Sequence, residues 1–201
     1  MAATMKAALF HENGPPEVIR MEDVPVPEPG TGEVRLRVEA AALNHLDLWV
    51  RRGLPIETTM PHIGGSDVVG RIDTVGPGVG GLERGARHVV DPSFGCGECE
   101  WCRKGAVPLC VRYRILGEHT NGGFAEFVVV PAANLYAVPD ALPVEIAAAA
   151  PLSSLTAWRA LTTRARLQAG ESLLVTGASG GVSTAAIQIG RFLGARVYAV
   201  T

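Results

Sequence analysis

Cys96, Cys99, Cys102 and Cys110 are the only cysteines in a chain of 201 residues, and they fall within one stretch, GCGECEWCRKGAVPLC. Their spacings, x2, x2 and x7, are short enough to gather four thiolates around one ion. Four thiolates at about 2.3 Å in a tetrahedron leave no position for water or substrate, so such a zinc site is structural. Two other outcomes fit clustered cysteines: an iron–sulfur cluster, which the C-x2-C-x2-C start permits, and a pair of disulfides. The bacterial cluster run brings its fourth cysteine after x3 and follows it with proline. Here the gap is x7 and Val111 follows. In a reducing compartment, clustered cysteines are more often metal ligands than disulfides.

A second stretch with chemical potential is Gly177-Ala178-Ser179-Gly180-Gly181-Val182-Ser183. It approximates the dinucleotide fingerprint G-x-G-x-x-G, and its context is the required one: the apolar run Leu173–Thr176 precedes it, an amphipathic segment follows, and a second apolar run comes next. Gly177 suits a tight turn. Ser179, Gly180, Gly181 and Val182 would bring backbone N–H groups to a pyrophosphate at the helix start. Ser183 stands where a closing glycine or alanine would pack. NAD enzymes place a ribose-binding carboxylate about 20 residues after this motif. The second run, Arg196–Thr201, ends instead in Thr201. A missing carboxylate removes the repulsion that excludes a 2′-phosphate, so NADP(H) is expected, with NAD(H) as the alternative. The bland reading is a glycine-rich turn with no ligand.

The elements that must position these residues fall into two groups. Up to about residue 140, short strands alternate with Gly/Pro turns. Glu33–Glu39 alternates strictly, with Val34, Leu36 and Val38 on one face. Further strands are expected at Lys6–Phe10, Val68–Val75, Ala86–Asp91 and Phe124–Val130, with one short helix over His45–Arg52 ended by Gly53. Pro143 marks a helix start, and Ser153–Ala165 is a second helical stretch. The expected fold is mixed α/β. An all-β, barrel-like domain spans residues 1–150, with the cysteine lobe 95–111 inserted, and the strand–turn–helix–strand unit lies in 151–201.

Composition narrows the function classes. Hydrophobic residues make up 47% and charged residues 19%, enough for a packed core and unlike a disordered chain. The formal net charge of −2, without a basic run, gives no sign of a nucleic-acid partner. The apolar stretch Ile146–Leu152 is too short to span a bilayer and contains Pro151. The first residues lack an apolar segment followed by a cleavage site, so a soluble cytoplasmic protein acting on a small molecule is expected.

In order and detail the chain resembles the medium-chain dehydrogenase/reductase family. The resemblance rests on NHLDLWVRRGLP, PHIGGSDVVGRIDTVGPGV, the cysteine lobe, NGGFAEFVVVP, PLSSLTAWRAL and the glycine turn. It implies a GroES-like, partly open β-barrel followed by the start of a Rossmann domain. It also implies hydride transfer with a nicotinamide cofactor, a homodimer or homotetramer, and one structural zinc per chain in the cysteine lobe. Family members continue through further strands and return to the barrel, so a longer chain is expected.

The departures concern the second, catalytic zinc of the alcohol dehydrogenases, which Cys, His and Cys ligate. Asn44 takes the place of the first cysteine, Ser66 that of the histidine and Leu152 that of the last cysteine. Leu46 replaces the proton-relay hydroxyl. The N-x-x-D pattern is similar to the quinone-oxidoreductase branch, which works without a catalytic metal. The resemblance makes Asn44 a candidate hydrogen-bond donor to the substrate, with Asp47 positioning it. It places His45 near the cofactor pyrophosphate and Thr156 near the nicotinamide.

The chemistry agrees with such a branch. A zinc ion lowers the pKa of bound water from about 15.7 to about 7, and by the same action promotes an alkoxide. A quinone or enone is already electrophilic, and donors aimed at its developing oxyanion are worth about 3 kcal/mol each. Simpler roles stand beside these. Asn44 and Asp47 are good helix-capping types, His45 could be an ordinary exposed histidine, and Ser66 a small turn residue. His62, His119 and Asp67 could build an unusual metal site. An alcohol dehydrogenase with atypical ligands and a non-catalytic zinc-stabilised binding protein are the competing functions.

Overall fold

Why strict alternation makes a strand is seen in β3 (Glu33–Ala42), which becomes an interior strand of the larger sheet. A computed structural model describes residues 3–56 and 58–201. In chain order the strands are β1 (Thr4–Phe10), β2 (Arg20–Pro25), β3 (Glu33–Ala42), β4 (His62–Ile63), β5 (Asp67–Val75), β6 (Arg87–Val90), β7 (Ser93–Phe94), β8 (Arg114–Ile115), β9 (Phe127–Pro131), β10 (Leu135–Ala137), β11 (Ser172–Thr176) and β12 (Arg196–Val200). The α-helices are α1 (His45–Arg52), α2 (Glu100–Arg103), α3 (Val144–Ala149), α4 (Pro151–Trp158) and α5 (Gly181–Phe192). Two compact units result, residues 1–149 and 150–201.

In the first unit, β10-β6-β5-β3-β9 form one antiparallel sheet and β2-β1-β4 a second. Val34 and Leu36 of β3 are fully buried among Val68, Ile72, Val90, Phe94, Leu116, Val128 and Val130. Burying one such side chain contributes roughly 1.5–3 kcal/mol, and alternation is what directs this set to one face. A second cluster, Met5, Ala7, Leu9 and Ile63, packs beneath the smaller sheet.

The segment expected as one strand over Phe124–Val130 is divided between the sheets. The Phe124 carbonyl and Glu126 N–H bond to β1, whereas Phe127–Pro131 pairs with β3. That switch ties the two sheets together on one side, and the run FAEFVVV by itself carries no sign of it. β3 extends three residues past the expected end at Glu39, with register irregularities at Arg35/Leu36 and Val38/Ala40. β2, β4, β10 and the two-residue pair β7–β8 were not expected. They are short or irregular in pattern and gain their partners only from distant residues.

In the second unit, β11 and β12 pair in parallel, and α5 packs on them. Gly190 makes this close approach possible: a Cβ there would lie 2.6 Å from Leu173 Cδ2. The helical stretch expected over Ser153–Ala165 begins earlier, at Pro151, and changes after Trp158 into a wider π-type helix, Arg159–Arg164. Pro151 sits at the first helical position, where a missing N–H costs nothing. Among the described residues, no helix is long and apolar enough to cross a membrane.

Candidate functional site

Helix α1 begins where the sequence places the candidate donor. The Asp47 carboxylate accepts the Asn44 N–H at 2.7 Å, a carboxylate answering an orphan donor at a helix N-terminus. Its other oxygen accepts the Gly65 N–H at 3.0 Å, which ties α1 to the segment between β4 and β5. The Asn44 side chain completes this capping box and also reaches away from it: Nδ2 donates to Asp67 Oδ2 at 2.9 Å. Asp67 accepts through its carboxyl oxygen and so faces the NH2 end of the amide, which carries two N–H groups. Asp47 therefore positions the Asn44 backbone, and the side-chain partner is Asp67, which sequence reading had singled out only as a metal candidate. Asp67 is 1% exposed.

Around this corner the backbone is compressed. Gly65 has φ +98°, and a Cβ at Gly122 would lie 2.3 Å from the Gly65 carbonyl oxygen. Gly64, Gly65, Gly117 and Gly122 thus let the loop 117–123 cross the β4–β5 connection at backbone contact. His62 lies beneath, fully buried, with Nε2 3.0 Å from the Gly117 carbonyl. Burial pulls its pKa below the ordinary histidine value, against the opposing pull of the Gly117 and Thr59 backbone. Burial likewise pushes Asp47 above the usual carboxylate range, with the backbone donors of Asn44 and Gly65 acting the other way. His45 is exposed and meets Trp49 edge-on, ring centroids 5.0 Å apart.

The cysteine lobe is held between β7 and β8. Its four sulfur atoms all lie within 4.8 Å of one another. Cys96 and Cys102 sulfurs are 4.0 Å apart, far from the roughly 2.05 Å of a disulfide and near the edge of about 3.8 Å that a tetrahedron with 2.3 Å bonds requires. Backbone N–H groups point at the sulfurs: Cys99 to Cys96 Sγ, Cys102 to Cys99 Sγ, and both Cys96 and Arg112 to Cys110 Sγ, at 3.3–3.5 Å. Such donors favour thiolates. The N–H groups of Glu98 and Cys99 pull Cys96 down to about 6, while desolvation pushes Cys102 up to about 11. Four converging sulfurs cannot all ionise beside one another without a cation, and the geometry fits zinc. Among the described residues this is the one group of three or more His, Cys, Asp or Glu whose ligand atoms converge; His62, His119 and Asp67 form none.

In the second unit, Gly177 takes φ +61° and its carbonyl accepts the Gly180 N–H. Helix α5 starts at Gly181, and its first-turn N–H groups have no intrahelical acceptor, the arrangement that suits a phosphate. A Cβ on Gly180 or Gly181 would meet nothing closer than 3.5 Å, so the space before the helix is open. Ser179 and Val182 are exposed beside it. Ser183 does more than fit, since its hydroxyl donates to the Thr176 carbonyl at 3.1 Å. Thr201 follows β12 directly, and the Val200 carbonyl accepts the Ala178 N–H, so Thr201 borders the turn. The Thr156 hydroxyl donates to the Leu152 carbonyl within α4.

A partly closed GroES-like barrel, an inserted four-cysteine lobe and a following βαβ unit with a glycine turn define the two-domain dehydrogenases. Residues 30–140 match the alcohol dehydrogenase GroES-like domain. An alcohol dehydrogenase of Schizosaccharomyces pombe is 34% identical over 96% of this chain and 56% of its own length. An acryloyl-coenzyme A reductase of Sulfurisphaera tokodaii is 37% identical over 94% of this chain and 56% of its own. A crystal structure of an NAD-dependent alcohol dehydrogenase superposes with a TM-score of 0.94 at 49% identity, covering 97% of this chain and 57% of that one. The chain belongs to the medium-chain dehydrogenase/reductase family, of the zinc-type alcohol dehydrogenase kind, and spans about half the length of these relatives.

Proposed function

We propose that the full-length protein is an oxidoreductase that delivers hydride from a nicotinamide cofactor to a quinone, activated carbonyl or enone without a catalytic metal. The observation that carries this reading is the Asn44–Asp67 hydrogen bond of 2.9 Å. Where the family's alcohol dehydrogenases have a zinc thiolate, this chain holds an amide donor on a buried carboxylate. Asn44 would direct its remaining N–H at the oxyanion that develops on the acceptor, worth about 3 kcal/mol in the transition state. The similarity to an acryloyl-coenzyme A reductase supports an acceptor with a conjugated double bond. Zinc in the cysteine lobe would fold its loop and take no part in the reaction.

The nicotinamide cofactor supplies the hydride when bound. The first turn of α5 would hold its pyrophosphate, and Thr201 leaves room for a 2′-phosphate, which supports NADP(H). The relative of 49% identity, named for NAD, supports NAD(H) and alcohol oxidation as the second reading. Oxidation of NADPH and NADH by a quinone and by an enone thioester, with and without a chelator, tests both. Turnover that survives chelation is expected. Activity confined to alcohols, or abolished by removal of accessible metal, overturns the first reading.

A further inference from the structure

Among the described residues, three buried side-chain polar atoms lack a hydrogen-bond partner: Ser66 Oγ, Glu118 Oε2 and Thr120 Oγ1. All three belong to the two segments that cross at Gly65 and Gly117, and Gly65 itself donates to Asp47 at the head of α1. Buried polar atoms are nearly always paired, so orphans gathered at one crossing call for a ligand or a reacting group. Glu118 is the one acid among them. It follows Gly117, where a Cβ would come within 2.7 Å of the Gly65 carbonyl carbon. Its side chain keeps 12% exposure, a narrow opening to solvent.

The neighbouring His119 does not neutralise it. His119 Nδ1 is 3.7 Å from Glu118 Oε2, but the same nitrogen accepts the Ile115 N–H at 3.2 Å. That nitrogen is thus already engaged with the backbone. Other titratable groups on the packed segments are engaged: His62 with the Gly117 carbonyl, Asp47 with the Asn44 and Gly65 N–H groups, Asp67 with Asn44. Burial raises the pKa of Glu118, with His119 acting weakly the other way, which favours the acid form.

We propose that Glu118 is the proton donor that completes reduction of an enone-type acceptor. This rests on the function proposed above. Hydride adds to the β-carbon, and the C=C electron pair moves towards the carbonyl oxygen facing Asn44. The Glu118 O–H bond then breaks, and its proton forms the new C–H bond at the α-carbon. The Glu118 carboxylate regains a proton from water. The sum is one hydride from the reduced nicotinamide and one proton added across one double bond. With Leu46 where the family's relay hydroxyl stands, α1 offers no hydroxyl for this step.

The test uses full-length protein. Glu118→Gln, nearly isosteric, is expected to lower kcat about 100-fold or more with KM little changed. Wild-type kcat should fall as pH rises through the Glu118 titration, and that limb should vanish in the variant, while Glu118→Asp regains part of the rate. Infrared spectroscopy of cofactor-free wild-type protein across a pH series should show a carboxyl band that titrates above the ordinary glutamate range and is missing from folded Glu118→Gln, a readout independent of turnover. Absence of that band, or wild-type turnover in Glu118→Gln, overturns the assignment alone. Wild-type protein inert to every enone and quinone overturns the proposed reduction and this assignment with it.

Discussion

Asn44 shows how one side chain separates a helix cap from a candidate active-site donor. Asn44 and Asp47 form the capping box of α1, and the amide nitrogen of Asn44 is free of that role and donates to Asp67. Asn44→Ala should lower folding stability by about 1 kcal/mol, the size of a lost cap, yet cost about 3 kcal/mol of transition-state stabilisation, roughly 100-fold in kcat. A large loss of stability with unchanged kcat per folded molecule would assign Asn44 to the cap alone. His62 provides a residue-scale test of burial. Its folded pKa lies below the unfolded value of 6.5, so its neutral form contributes stability at higher pH, lost as pH falls through that value towards the folded one. Melting temperature should drop over this window, and His62→Asn should flatten the drop. An unchanged slope would place the acid sensitivity elsewhere.

At the scale of elements, the cysteine lobe is a loop in which four sulfurs converge. Helix α2 has four residues, and β7 and β8 two each, too little regular structure to hold a fold unaided. Removing one thiolate opens the site, and metal binding is coupled to folding. Cys102→Ser should lower the melting temperature by several degrees and release zinc, while turnover per folded molecule changes little. Elemental analysis should give one zinc per wild-type chain; two would place a metal at a second site. The spacing of the cysteines makes this lobe legible in the sequence. The crossing of loop 117–123 over Gly64–Gly65 is not, because a glycine in NGGFAEF carries no sign of which distant backbone it approaches.

For the whole molecule, the cofactor choice joins the sequence reading to a strand end. Thr201 stands one residue past the Thr176–Val200 pair, beside the turn that begins at Gly177. A threonine neither binds both ribose hydroxyls as a carboxylate does nor repels a phosphate. The expected outcome is a higher kcat/KM for NADPH than NADH in the full-length protein, reversed or narrowed by Thr201→Asp. A wild-type preference for NADH would bring this protein into line with its NAD-dependent relative.

Spacing and periodicity were enough for the gathering of the four cysteines, the strand–turn–helix–strand order and helix α1, including its end at Gly53. These are local: each depends on residues a few positions apart, and the physics of a thiolate cluster or an amphipathic face acts at that range. Tertiary structure decided the division of Phe124–Pro131 between two sheets, the place of Gly190 on the face of α5 that meets β11, the pairing of Asn44 with Asp67, and the burial of Glu118. Asn44 and Asp67 are 23 positions apart, and Glu118 lies a further 51 beyond. Hydrogen bonding and desolvation act only at contact distance, and contact between such residues exists only once the barrel has closed.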